Sequence, residues 1–251
     1  MNCYKKLCTE FYDLDKPTAP PDALEFYLRY AEQAAGPILE PMCGTGRFLI
    51  PLLQRGFDID GFDASPHMLA ACREKLRRLD LKVNVTEQSL PEIDLPRKYG
   101  LVIIPAGSLG LITDERALRS SLKRLHDLML PNAKLVIEVD QRKPAKSSEW
   151  PWGGRWLKRK DGATLIISWL GRYDADTSIE SSIHRYELIR DGQLEAMEYE
   201  DFILRHTDVD EVFTWLRQAG FSKIKPLRLF DHSKAPRKED DNIAIECVRS
   251  G

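Results

Sequence analysis

Pro37-Ile38-Leu39-Glu40-Pro41-Met42-Cys43-Gly44-Thr45-Gly46 is the stretch around which the 251-residue chain organises itself. Ile38 and Leu39 close a short apolar run, as a buried parallel strand does, and Glu40 stands where that strand ends. Gly44 and Gly46 bracket a tight turn, and from Arg47 to Arg55 apolar residues return at helical spacing (Phe48, Leu49, Leu52, Leu53). Strand, glycine turn and helix form the first half of a nucleotide-binding βαβ unit. Glycines there let the backbone approach a ligand where a Cβ would collide.

Two carboxylates surround the loop. Glu40 lies just before the glycines, where a ligand ammonium can meet it. Asp63 ends the next apolar alternation, Phe57 to Phe62, at about the 20-residue spacing of a ribose-binding acid. A dinucleotide fingerprint calls for Gly or Ala three residues after Gly46, and that position is Leu49. A carboxylate facing a cation, without a clear pyrophosphate turn, suits a nucleoside that carries an amino acid.

On Ile38–Gly46 and on Gly61-Phe-Asp-Ala-Ser-Pro-His-Met-Leu69 the chain resembles the class I S-adenosylmethionine-dependent methyltransferases. The resemblance covers residues 38–140 and returns near the C-terminus. It implies S-adenosylmethionine as cofactor and a role for Glu40 near its methionine end. It places Asp63 on the ribose hydroxyls and Ala64 and Met68 along the adenine. Tyr12-Asp13 looks like the pair that approaches the cofactor from before the first strand. Ser89 occupies the place of an acid that accepts from the adenine amino group, with the Leu90 N–H beside it. Pro105 opens the loop Pro105–Gly110, which in the family lies beside the reactive methyl, so Ser108 is a candidate for orienting a substrate. Met42 departs from the family's usual glycine and leaves the loop roomier or differently turned.

The implied fold class is α/β: a Rossmann-like, seven-stranded, mostly parallel sheet with helices on both faces and an antiparallel β insertion. Residues 1–140 and 206–251 are expected to form the cofactor-binding core, and 141–205 an insertion acting as a substrate lid. Asp161-Gly162 and Asp191-Gly192 are hairpin turns of that insertion, with strands near 155–160, 163–171, 179–190 and 193–204. Ser65-Pro66 starts a helix, because Ser caps and Pro fits the first helical position. Leu101–Ile104 is a strand buried on both faces, and residues 221–230 and 242–248 supply the last strands.

Within the insertion, Trp152, Trp156, Arg172, His184 and Tyr186 are candidate substrate contacts. His184, Tyr186 and His206 are the candidate bases, and the sequence pairs none of them with an orienting acid. No metal is expected, since the five His and five Cys lack ligand spacing. A net charge of −2 argues against reliance on nucleic acid. No apolar run approaches about 18 residues, so neither a membrane span nor a secretory signal is evident. Scattered cysteines, odd in number, suit reduced thiols in a cytoplasm. Taken with the family resemblance, the expectation is methylation of a small-molecule acceptor, on N or O, by a monomer or homodimer. The alternatives are a non-catalytic S-adenosylmethionine-binding protein and an NAD-dependent dehydrogenase.

Overall fold

In the computed structural model, which describes residues 3–141 and 146–250, the main sheet has seven strands. In chain order they are β1 (Ile38–Pro41), β2 (Ile59–Asp63), β3 (Val85–Glu87), β4 (Tyr99–Ile104), β5 (Met129–Asp140), β10 (Phe221–Arg228) and β11 (Asn242–Arg249). A second, separate sheet comprises β6 (Ser148–Lys158), β7 (Thr164–Asp174), β8 (Ile179–Arg190) and β9 (Gln193–Arg205). Residues 142–145 of the expected insertion lie outside the described residues.

The spatial order of the main sheet is β10-β11-β5-β4-β1-β2-β3. β1 pairs parallel with β2 and β4, and β4 with β5, whereas β11 runs antiparallel to both β5 and β10. Every residue of β4 is buried, as its unbroken apolar run requires at the centre of a sheet covered on both faces. Leu118, Leu122 and Leu125 from α5 (Glu115–Leu128), with Val212 and Leu216 from α6 (Val209–Ala219), pack on one face. Phe26 and Tyr27 from α2 (Pro21–Ala31), Leu49 and Leu52 from α3 (Leu49–Gln54), and Leu69 and Cys72 from α4 (Pro66–Arg78) fill the other.

Local chemistry sets the helix ends. Ser65 accepts from the Met68 N–H at 3.2 Å, Pro66 takes the first position, and Lys75, Arg77 and Arg78 occupy the last turn of α4. Asp114 and Asp208 cap α5 and α6 in the same way, and Gly220 (φ +105°) ends α6. The Asp161-Gly162 and Asp191-Gly192 turns join β6 to β7 and β8 to β9; Asp191 and Gly192 both take the positive φ of a tight hairpin.

The largest differences from the sequence expectation lie in β6 and near the N-terminus. β6 starts at Ser148, well before residue 155, because it is an edge strand whose register slips between Trp150 and Gly153 and so accommodates Pro151. The N-terminal segment contains α1 (Lys6–Asp15), a helix absent from the sequence expectation. This helix lies between the two sheets. Its Leu7, Cys8 and Phe11 pack with Leu165, Ile167 and Tyr186 of the small sheet.

Glu198 and Glu200 of β9 stand at the start of α1. Glu200 accepts from the Tyr4 and Lys5 N–H groups (3.0 and 2.5 Å), and Glu198 from that of Leu7 (2.7 Å). These carboxylates satisfy amides that an uncapped helix N-terminus leaves open.

Candidate active site

The carboxyl end of β1 feeds a loop in left-handed backbone: Met42 at φ +57°, Gly44 at +55° and Gly46 at +82°. A Cβ on Gly46 would come within 2.8 Å of Cys72 Sγ, so this glycine permits α4 to pack under the loop. A Cβ on Gly44 would meet nothing within 4 Å, because its Cα faces a cleft. Met42 holds a left-handed conformation at a cost of about 1–2 kcal/mol, and its side chain becomes cleft wall.

The cleft holds about 390 Å³, within the range of small-molecule sites. It brings together Tyr12, Met42, Gly44, Asp63, Ala64, Met68, Ser89, Leu90 and Ser108 from the sequence-based set. Gly46 and Pro105 are not among its lining residues; Pro105 instead accepts from the Ser108 hydroxyl at 2.9 Å. Gln88, Pro91, Leu111 and Ile112, which carry no site role from the sequence, also line the cleft, together with Tyr4. The segments that carry them are irregular or 3-10, without a repeating pattern to read.

Asp63 is held between two backbone donors: Oδ2 accepts from the Gly44 N–H and Oδ1 from the Ser65 N–H, both at 2.8 Å. Burial pushes its pKa up, and these hydrogen bonds partly offset that. Each oxygen keeps a further lone pair for a ligand hydroxyl. Glu40 is buried, 3% exposed, and does not itself line the cleft. Its Oε2 has no partner among the described residues, and desolvation raises its pKa well above the ordinary carboxylate value. Arg47 and the Leu49 N–H act in the opposite sense. The Arg47 guanidinium lies 5.7 Å over the Tyr12 ring, and its Nε has no acceptor among the described residues.

α1 is clamped onto the glycine loop from the other side. Asp13 accepts from Thr45 Oγ1 at 2.6 Å and pairs with Lys75 at 2.7 Å, and Lys75 also donates to the Thr45 hydroxyl. The Ser65 hydroxyl donates to the Tyr4 carbonyl at 2.7 Å. Tyr4 and Tyr12 thereby become fixed cleft walls.

The small sheet separates the other candidates. Tyr186 is buried against Phe11, ring centroids 6.0 Å apart, and burial pushes its hydroxyl pKa far up. His184 meets the Ser182 hydroxyl at 2.9 Å and stacks on Phe202, whose edge contacts Tyr4; desolvation lowers its pKa. Trp152 and Arg172 lie on the opposite face of this sheet, away from the cleft. Trp152 is 55% exposed under the Arg185 guanidinium, and Arg172 lines a shallow groove with Trp150 and Ile203.

His206 does have an orienting acid. Its Nε2 lies 2.9 Å from Glu180 Oε2, and this contact, with Asp140 nearby, raises the imidazole pKa above its ordinary 6.5. Asp140 ends β5 and lies against Gly107, next to the cleft residue Ser108. Residues 180 and 206 meet only through the β8–β9 pairing, so local sequence carries no sign of the contact. Among the described residues no group of three or more His, Cys, Asp or Glu could hold a metal ion, and no helix is long and apolar enough to cross a membrane.

Residues 38–132 match a family described as a methyltransferase domain. Over 134 residues the chain is 28% identical to a Geobacillus sp. (strain WCH70) protein named provisionally as a methyltransferase; the match covers 51% of this chain and 54% of that protein. The chain thus spans about half the length of the curated relatives it matches. Its fold is similar to an S-adenosylmethionine-dependent methyltransferase from Clostridium acetobutylicum ATCC 824, with TM-score 0.80, 16% identity and full coverage of both chains. The sugar N-methyltransferase KedS8 from Streptoalloteichus sp ATCC 53650 is similar at TM-score 0.76 and 17% identity, covering 96% of this chain and 92% of that one.

Proposed function

We propose that this chain transfers a methyl group from S-adenosylmethionine to an amine of a small-molecule acceptor; the match of residues 38–132 to a methyltransferase-domain family and the similarity of the fold to an S-adenosylmethionine-dependent methyltransferase support this. One observation carries the cofactor assignment. Two carboxylates, Glu40 and Asp63, flank a left-handed glycine turn that opens into a cleft, and buried Glu40 keeps an oxygen without a partner. A nucleoside bearing an α-amino acid answers both features.

Asp63 would hold the ribose hydroxyls, and Ala64, Met68 and Leu90 would border the adenine. Glu40 would meet the ammonium, and Arg47, above Tyr12 with its Nε unmatched, is the candidate for the carboxylate. When bound, S-adenosylmethionine supplies a methyl carbon made electrophilic by its sulfonium.

The chain's own task is to present the acceptor in line with its lone pair free. Asp140 and Glu180 make the neighbourhood of the Gly107–Ser108 loop negative, which draws a cationic amine. His206, hydrogen-bonded to Glu180, can take the proton that the amine gives up. The sugar N-methyltransferase name of KedS8 supports nitrogen as the acceptor atom. In this reading the insertion 141–205, with α1, serves as the substrate lid.

The test combines calorimetry with S-adenosylhomocysteine and turnover on a panel of amino sugars and small amines, read as released S-adenosylhomocysteine. Binding with turnover on an amine is the expected result. Binding with turnover only on hydroxyl acceptors would overturn the amine assignment. Binding without turnover on any acceptor favours a non-catalytic binding protein, and NAD binding in place of S-adenosylhomocysteine would overturn the whole reading.

A further inference from the structure

The small sheet is apolar on both faces, and only one of them is covered by the described residues. Its inner face packs on α1 through Leu165, Ile167 and Tyr186. An antiparallel sheet with one face on its own core normally turns polar residues to water on the other. Here the outer face carries Trp152, Leu170, Ile183, Met197, Tyr199 and Ile203, each between 43% and 55% exposed.

Strand register places these residues on one side. Leu170 lies opposite Ile183, Ser181 opposite Ile203, Arg185 opposite Tyr199 and Glu187 opposite Met197, and Trp152 sits under Arg185. Of the ten exposed large hydrophobic residues among those described, seven occupy this face once Trp156 is included. Single exposed apolar residues need no explanation, but a contiguous patch marks an interaction site.

We infer that this face is the interface of a homodimer, in which two copies stack their four-stranded sheets as a sandwich around a twofold axis. Size supports a second copy as occupant. Strands of 11 to 13 residues make up the face. At about 3.3 Å per residue and about 4.8 Å between strands, it measures roughly 750 Å². A stable interface buries about 800 Å² on each partner.

Charge supports it as well. The apolar rows are interspersed with Arg172, Arg185, Glu187 and Asp201, so the same surface offers both signs to a rotated copy of itself. The face lies on the side of the sheet away from α1 and the cleft, so its assignment is independent of the proposed chemistry.

Sedimentation of the full chain at micromolar concentration tests the inference, with Ile183→Lys and Tyr199→Glu as variants. Each new charge faces an opposite one across the strand pair, Asp201 or Arg185, which preserves the protomer's own sheet. The wild type is expected at twice the 28.8 kDa chain mass. Each variant is expected to weaken dimerisation at least about tenfold. Wild-type tryptophan emission should shift to the red on dilution as Trp152 and Trp156 become exposed, a readout that needs no variant. A monomeric wild type would overturn the inference and leave the face to some other partner. A dimer indifferent to both substitutions, with no emission shift, would overturn it by placing the interface elsewhere.

Discussion

Glu40→Gln should stabilise the ligand-free protein and weaken its ligand, two effects of opposite sign from one buried oxygen. Glu40 is 3% exposed and its Oε2 has no partner among the described residues, so the folded chain bears the desolvation of a carboxylate. An unsatisfied buried polar group costs about 1–3 kcal/mol, more when charged. The amide is nearly isosteric and neutral but leaves its own N–H₂ poorly matched, so a net gain of about 1–2 kcal/mol is expected. For a chain of this length that corresponds to about 2–8 °C in melting temperature.

The pH dependence fixes the sign. Burial raises the folded pKa of Glu40 well above 4.5, so between the unfolded and folded values the folded state binds the extra proton. Wild-type stability from this group therefore falls as pH rises through that window. The variant lacks this fall, so its advantage grows with pH and levels off above the folded pKa. In the complex, loss of a charge-assisted hydrogen bond to an ammonium, about 1.5–3 kcal/mol, should weaken S-adenosylhomocysteine by roughly 10- to 150-fold. Scanning fluorimetry across pH and calorimetry read the two arms. A variant that melts at or below the wild type at every pH and binds S-adenosylhomocysteine unchanged would refute the reasoning.

Asp63→Ala should weaken S-adenosylhomocysteine by more than about tenfold in calorimetry, since two charge-assisted contacts are lost together; unchanged affinity rejects the ribose assignment. Asp13→Ala frees Thr45 and Lys75 from α1. It should lower the melting temperature by about 2–8 °C, from about 1–2 kcal/mol, and weaken the ligand by loosening Tyr12, whereas an unchanged melt would show that the clamp contributes nothing. His206→Ala removes a group whose pKa is raised chiefly by Glu180. That stabilisation is present below pH 6.5 and lost as pH rises through the folded pKa. The variant's melting deficit, about 1 kcal/mol from this pair, should therefore be larger at pH 6 than at pH 9; equal deficits would deny the ion pair.

What the sequence could announce was local. Ile38–Gly46 signals strand, turn and helix through residues within a few positions of one another. Ser65-Pro66 and Asp191-Gly192 work the same way, because a cap or a hairpin turn is a property of adjacent backbone. Asp63 was legible as well, since its partners are Gly44 on the quoted loop and its own neighbour Ser65. The family resemblance supplied the seven-stranded, mostly parallel topology beyond these units.

Tertiary structure alone decided the remainder. α1 is held by Glu198 and Glu200, nearly two hundred residues away, and by Thr45 and Lys75. His206 finds Glu180 only after β8 and β9 pair. Alternation along β8 puts His184 and Tyr186 on one face, but only the packing of α1 seals Tyr186 inside and leaves Ile183 at the surface. Periodicity shows which residues share a side. Which side is buried depends on what the distant chain lays against it.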